Sequence, residues 1–316
     1  MQRSTALPHL PGQGATLKQY AAALLDLRIL GVITVIATYG LIVLGATVRA
    51  TDSGTACPDW PLCHGQLIPP AETKVLIEFS HRLVASIVGF MILGVVLQVW
   101  RGYRQRAPMV WAGALAVVLL AAQVIVGGVT VGTETAAGVV AIHLTIALTL
   151  ISLLIFIAAS AWTQERPGTA AVSPLPVLAA AGVFALIITG AFVSQTDAGL
   201  AYPDWPLFDG KVVPADSQAG QLHYVHRVAA GLVGLIVAGA FFAAYRRRAA
   251  PPILWGLAVA FAGFMVQALV GAANVWMDLA TWVRILHLAL ASAVWAVLVF
   301  TLVWAATRPR HAYGES

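Results

Sequence analysis

Residues 51–65 read TDSGTACPDWPLCHG and residues 196–210 read TDAGLAYPDWPLFDG, so ten of fifteen positions are identical at an offset of 145. The same offset carries His81-Arg82 onto His226-Arg227. Farther along, Gln123-Val-Ile-Val-Gly127 matches Gln267-Ala-Leu-Val-Gly271 at an offset of 144, which also carries His143 onto His287. The chain is a duplication, and each copy must fold to one plan.

On either side of the repeated segments the sequence is apolar. Eight runs of spanning length lie at about 28–50, 80–100, 109–131, 138–161, 175–195, 223–245, 252–273 and 282–305. A hydrocarbon core of roughly 30 Å needs about 20 such residues per helix. Of 316 residues, 60% are hydrophobic and 10% charged, and the mean hydropathy is +0.86. A soluble domain carries about 25% charged residues, so soluble and disordered classes are excluded. A membrane β-barrel alternates apolar and polar residues over segments of about 10, which these unbroken runs do not. The expected fold is an all-α integral membrane protein with eight transmembrane helices.

Each copy holds four runs, an even number, so both enter the membrane in the same direction. The expectation is two parallel-repeat four-helix bundles related by a pseudo-two-fold axis along the membrane normal. The halves span 28–161 and 175–305, joined by a linker at 162–174 and flanked by segments 1–27 and 306–316. The net charge of +5 comes from basic residues in short connections, which is a topology signal, not a nucleic-acid footprint. One side carries 12 basic residues against Asp26, Glu165 and Glu315; the other carries 10 acidic and 6 basic residues. The positive-inside rule then puts both termini in the cytoplasm of a cell-membrane protein and the loops 51–79 and 196–222 outside. Residues 1–27 lack the apolar core and small-residue site of a signal peptide. Residues 1–20, with Pro8, Pro11, Gly12 and Gly14, are expected to be poorly ordered.

Ionisable side chains inside spans are costly and mark function. His81, His143, His226 and His287 are each expected in the first turns of spans two, four, six and eight, all near the outer face. An up-down bundle sets its second and fourth helices diagonally across the core. Two imidazoles facing each other there suit axial ligation of a heme iron, one site per half. Zinc or copper lacks a third and fourth N or S ligand near the pairs. Arg82 and Arg227 follow the first His of each pair. Each is either a contact for heme propionates or a snorkelling anchor. Gln123 and Gln267 are expected to bond helix to helix. Trp60 and Trp205, between prolines, suit a rigid loop at headgroup level or a lid over each heme.

The duplication is most informative where it breaks. Cys57 and Cys63, the two cysteines of the chain, face Tyr202 and Phe208 in the second half. On an oxidising side they can form a structural disulfide or act as a redox dithiol. His64, whose counterpart is Asp209, reads as a surface loop residue. Glu78 lies one helical turn before His81, and its counterpart is His223. A carboxylate beside a low-dielectric pocket suits proton transfer, and one at a helix start also suits the macrodipole. Its absence from the second half makes the first the expected reaction chamber.

Together these residues resemble the heme A synthase family. The resemblance runs from about residue 28 to 305. It rests on eight spans in two halves, on TDSGxxCPDWPLCxG, on E-x-x-H-R at 78–82, and on the single His opening spans four, six and eight. It implies oxidation of the C8 methyl of heme O to a formyl group, making heme A for terminal oxidases. Successive hydroxylations and loss of water from a gem-diol are the implied route. It further implies a heme b cofactor on His226 and His287, substrate heme on His81 and His143, and Glu78 as the catalytic carboxylate. Cys57 and Cys63 match the family's loop pair. The second pair of some members is replaced here by Tyr202 and Phe208. The implied partners are an electron donor, a heme O synthase and terminal oxidase assembly factors.

Two other functions suit four paired histidines: a di-heme cytochrome b electron carrier, and a heme transporter or chaperone. The one-sided Glu78 and cysteine pair argue against a carrier, which needs neither. Gly/Pro-interrupted half-helices at the midplane, a transporter signature, are not evident.

Overall fold

A computed structural model describes residues 26–162, 173–213 and 218–307. Eight long helices account for most of them: α1 (Leu27–Ala50), α2 (Thr73–Gly102), α3 (Ala107–Gly132), α4 (Ala137–Ala161), α5 (Pro174–Gln195), α6 (Gln218–Arg246), α7 (Pro251–Trp276) and α8 (Thr281–Thr307). Each is long and apolar enough to cross a membrane. The chain is a multi-pass membrane protein. The expected disorder of residues 1–20, most of the linker 162–174 and most of the tail lie outside the described residues.

The helix ends follow local chemistry. Asp26 caps α1, accepting from the Arg28 N–H at 2.9 Å. Proline stands in the first turn of α3, α5 and α7, where its missing N–H costs nothing. Arg101 and Arg246 occupy the last turns of α2 and α6, beside the negative end of the dipole. Within the spans, Thr34, Thr38 and Thr145 turn their hydroxyls back to carbonyls four residues earlier, which satisfies these three without water.

Two helices run longer than their apolar runs. α2 has 30 residues and α6 has 29. At 1.5 Å per residue each is roughly 45 Å long, well beyond the hydrocarbon core. The extra turns carry polar residues (Lys74 and Glu78; Gln218 and Gln221), so hydropathy does not reveal them. His81 and His226 are each the ninth residue of their helix, and His143 and His287 each the seventh. They therefore lie about two turns in from the helix starts.

In the first half α1 packs on α2, α2 on α3, α3 on α4, and α4 on α1; the second half repeats this with α5 to α8. The seam joins α1 and α4 to α5 and α8, with α4 directly against α8. The larger buried core lies along this seam and into the second half, with Ile42, Leu148, Ile151, Val183, Ile187 and Leu298. A second core, with Val88, Ile92, Met109 and Leu154, fills the first half. Polar contacts cross the seam, among them Arg284 to the Ala50 carbonyl (3.4 Å). Tyr39 donates to the Ala289 carbonyl (3.1 Å), Trp295 to that of Leu148 (3.4 Å), and Arg49 to that of Ser194 (2.8 Å). Ser194 is the repeat counterpart of Arg49, so the same ends of α1 and α5 meet there. Phe90, Trp111, Leu235 and Trp255 point outward and exposed, as lipid-facing side chains do.

The two long loops fold alike. The Asp59 carboxylate accepts from the backbone N–H groups of His64 (2.5 Å) and Gly65 (2.8 Å). Asp204 does the same with Asp209 (2.7 Å) and Gly210 (2.9 Å). The donating pairs all have positive φ: 55° and 69° in the first loop, 56° and 71° in the second. This left-handed pair explains the glycine at 65 and 210. The peptide bonds before Pro61 and Pro206 are both cis.

Candidate heme-binding site

Each repeated histidine sits against a glycine of the preceding helix. A Cβ added at Gly45 of α1 would lie 3.3 Å from the His81 Cε1. At Gly127 it would meet that of His143 at 3.4 Å, at Gly190 that of His226 at 3.1 Å, and at Gly271 that of His287 at 3.2 Å. Four bare backbone patches thus make room for four imidazoles, at places the repeat relates. His81 and His143 lie within electrostatic reach of each other, and so do His226 and His287. The packing order sets α2 diagonal to α4, and α6 diagonal to α8.

The rings have different neighbours. The Gln123 amide nitrogen lies 3.1 Å from His143 Nε2. That of Gln267 lies 3.1 Å from His287 Nδ1 and also donates to the His287 carbonyl at 2.9 Å. Both glutamines bridge helices as expected, but their partner is the histidine itself. The shared spacing of 20 residues between Gln and His in each half was the available signal. His81 Nδ1 and His143 Nδ1 are buried without a hydrogen-bond partner. Buried polar atoms are seldom left so. Paired imidazoles on diagonal helices, seated on glycine, suit an iron-bearing planar ligand. Among the described residues no three His, Cys, Asp or Glu side chains converge.

Above the first pair stands a polar set with no counterpart among the described residues of the second half. Glu78 is buried, at 4% exposure. Its Oε2 accepts from the Cys57 N–H at 2.8 Å and its Oε1 from Arg82 Nη2 at 2.5 Å. Arg82 also donates to the carbonyls of Cys57 (3.0 Å), Asp59 (2.7 Å) and Leu62 (2.6 Å). Four of its five N–H donors therefore hold the loop and Glu78. Within the chain Arg82 thus ties the loop to the buried carboxylate. The sulfurs of Cys57 and Cys63 lie 2.00 Å apart, with Cα atoms at 4.7 Å, both fully buried beside Val75. His64 is an exposed loop residue as expected, its Nε2 3.0 Å from the Ala56 carbonyl.

In the second half aromatic rings fill the same places. Tyr202 packs edge-on to Phe208 at 5.3 Å and stacks on His223 at 5.8 Å. Arg227 lies 4.5 Å over the Phe208 ring and donates to the Asp204 and Leu207 carbonyls, both at 3.0 Å. Trp60 lies against Gly128 of α3, and Trp205 packs edge-on to Trp276 of α7 at 5.7 Å. Both tryptophans are half-exposed at the outer end of their half. A hollow lined by Phe242, Arg246 and Arg247 lies at the other end of α6 from His226 and takes no part.

The fold and site define a multi-pass helical membrane protein carrying two histidine pairs under two related outer loops. Residues 28–299 match the cytochrome oxidase assembly protein family. The chain belongs to that family. It is similar to the heme A synthase of Geobacillus thermodenitrificans, 31% identical over 302 residues, covering 90% of this chain and 93% of that one. The heme A synthase of Exiguobacterium sibiricum is 30% identical over 282 residues (85% and 92%). That of Halalkalibacterium halodurans is 31% identical over 221 residues (67% and 74%).

Proposed function

We propose that this protein is a heme A synthase, an oxidoreductase that converts heme O to heme A. The observation that carries the reading is an asymmetry laid over a symmetric frame. All four histidines have matching glycine seats, yet among the described residues the first half alone sets a buried carboxylate and a cysteine pair above its histidines. An electron carrier or a transporter has no use for that difference. The named relatives support the same reading.

Each half is then a four-helix unit around its own heme. His81 and His143 hold the iron of heme O and fix its plane, with the farnesyl tail toward lipid. His226 and His287 hold heme b, which when bound supplies one-electron redox chemistry. The substrate methyl is hydroxylated twice, and the gem-diol loses water to leave the formyl group. Glu78 exchanges protons with the reacting substrate. Arg82 orients that carboxylate and ties it to the loop 57–62, which shields the pocket from water. Cys57 and Cys63 form a disulfide that braces this loop. Both termini lie in the cytoplasm of the cell membrane and the sites near its outer face. A heme O synthase and terminal oxidase assembly factors are the proposed partners, with an electron donor.

The test is chromatography of hemes extracted from the purified protein, made with and without a heme O synthase under aerobic conditions with a competent reductant. Heme A found only with that source establishes the activity. Heme b alone in both samples leaves the di-heme carrier.

A further inference from the structure

The four histidines share glycine seats but not the environment of their Nδ1 atoms. In the second half the Thr189 hydroxyl lies 3.1 Å from His226 Nδ1. The same hydroxyl donates its proton to the Leu186 carbonyl at 3.1 Å. A hydroxyl has one proton, so with that proton on the Leu186 carbonyl it accepts from His226 Nδ1–H. This arrangement holds the proton on Nδ1 and leaves the lone pair on Nε2, the form an iron needs. In the first half the counterpart of Thr189 is Leu44, at an offset of 145. Leucine offers no acceptor, and His81 Nδ1 is buried without a partner. The neighbouring glycine is kept in both halves, Gly45 and Gly190. The seat is conserved between the halves and the ring lock is not.

We infer that Thr189 is a positioning residue that locks His226 as an Nε2 ligand for a resident heme, and that Leu44 leaves His81 unlocked so that heme can enter and leave. This rests on the proposed assignment of resident heme to the second half and substrate to the first. A histidine ligand is commonly oriented by the acceptor on its other nitrogen, and loss of that partner costs about 10–100-fold in metal affinity. Thr189→Leu, which copies the first half, therefore speeds loss of the second-half heme by about that factor. Thr189→Ser keeps the acceptor and restores slow loss. Leu44→Thr slows heme loss from the first half.

The experiment uses full-length protein in detergent carrying His81→Ala, so that the second-half heme alone is followed. Heme loss is timed by transfer to an excess of apomyoglobin, and the heme midpoint potential is measured on the same samples. The expected result is fast loss and a shifted potential for Thr189→Leu, with both near parent values for Thr189→Ser. The inference is overturned if Thr189→Leu matches the parent in both readouts, or if Thr189→Ser behaves as Thr189→Leu. If the His81→Ala parent retains no heme while a His226→Ala protein does, the assignment of resident heme to the second half fails instead. The fold accepts leucine at this place, since Leu44 occupies it in the first half.

Discussion

The backbone N–H of Cys57 donates to the Glu78 carboxylate at 2.8 Å. One end of a loop and the carboxylate of a spanning helix are thereby one unit. Arg82 completes it by bonding both the other Glu78 oxygen and the Cys57 carbonyl. A carboxylate held between a guanidinium and a backbone amide sits at a defined place beside His81, three residues on. Glu78→Gln keeps size and one acceptor but loses charge and proton exchange. The expected outcome is loss of heme A from extracts with heme b retained. Undiminished heme A would remove the role given to Glu78.

Arg82 and Arg227 look alike in sequence and differ in what they hold. Arg82 donates to three carbonyls and a buried carboxylate, Arg227 to two carbonyls beside an aromatic ring. Lysine cannot reproduce a fork spread over several acceptors. Removing one partner of a buried ion pair costs about 3–5 kcal/mol, and the Arg82 and Glu78 side chains are only 15% and 5% exposed. Arg82→Met is expected to lower the thermal midpoint clearly more than Arg227→Met. A fluorescence melt of the detergent-solubilised protein compares them.

The two outer loops solve one closure problem by different chemistry. The first pairs Cys57 with Cys63, six residues apart, and the second stacks Tyr202, Phe208 and His223. A disulfide closing so short a loop contributes about 2 kcal/mol in the chain-entropy account. Reductant should therefore speed proteolysis within 51–72 and leave 196–213 unchanged. Cys57→Ser should mimic the reductant.

Hydropathy made the eight spans legible because lipid demands long apolar runs whatever else a helix does. It misjudged the starts of α2 and α6 for the same reason. Turns bearing Lys74, Glu78 and Gln221 extend beyond the apolar runs, and the start of α2 is held by loop contacts through Glu78. The repeat made the histidines legible, because matched residues survive in apolar sequence that has otherwise diverged. The loop partners of Arg82 were not legible because they are backbone carbonyls 20 to 25 residues away, and carbonyls leave no mark in a sequence. Thr189 escaped notice because threonine is unremarked in a span; only alignment with Leu44 singles it out.

The loop turns should respond to acid. The N–H groups of Gly65 and His64 hold the Asp59 carboxyl below its usual range, and those of Gly210 and Asp209 do so for Asp204. A lowered carboxyl pKa adds stability that is full above the unfolded value of about 4 and fades as pH falls through the folded value. Amide exchange at Gly65 and Gly210 should quicken below about pH 4 relative to helix amides. Asp59→Asn should remove that dependence from the first loop alone. An unchanged pH profile in Asp59→Asn would assign the loop's acid response to another group.

The glycine seats give the sharpest steric test. An added Cβ at Gly190 would stand 3.1 Å from the His226 ring and at Gly271 3.2 Å from that of His287, whereas at Gly40 it meets nothing within 4 Å. Contacts that tight force the ring to shift by a few tenths of an ångström, and Gly190→Val forces more. Alanine also raises helix propensity by about 1 kcal/mol over glycine, so a simple loss of fold is not the expected result. Gly190→Ala and Gly271→Ala should therefore yield folded protein with a disturbed second-half heme spectrum. Gly40→Ala should leave that spectrum as it is. Gly45→Ala and Gly127→Ala should spare the second-half spectrum and lower heme A yield. If all five variants behave alike, the glycines serve helix packing in general and not the seating of the imidazoles.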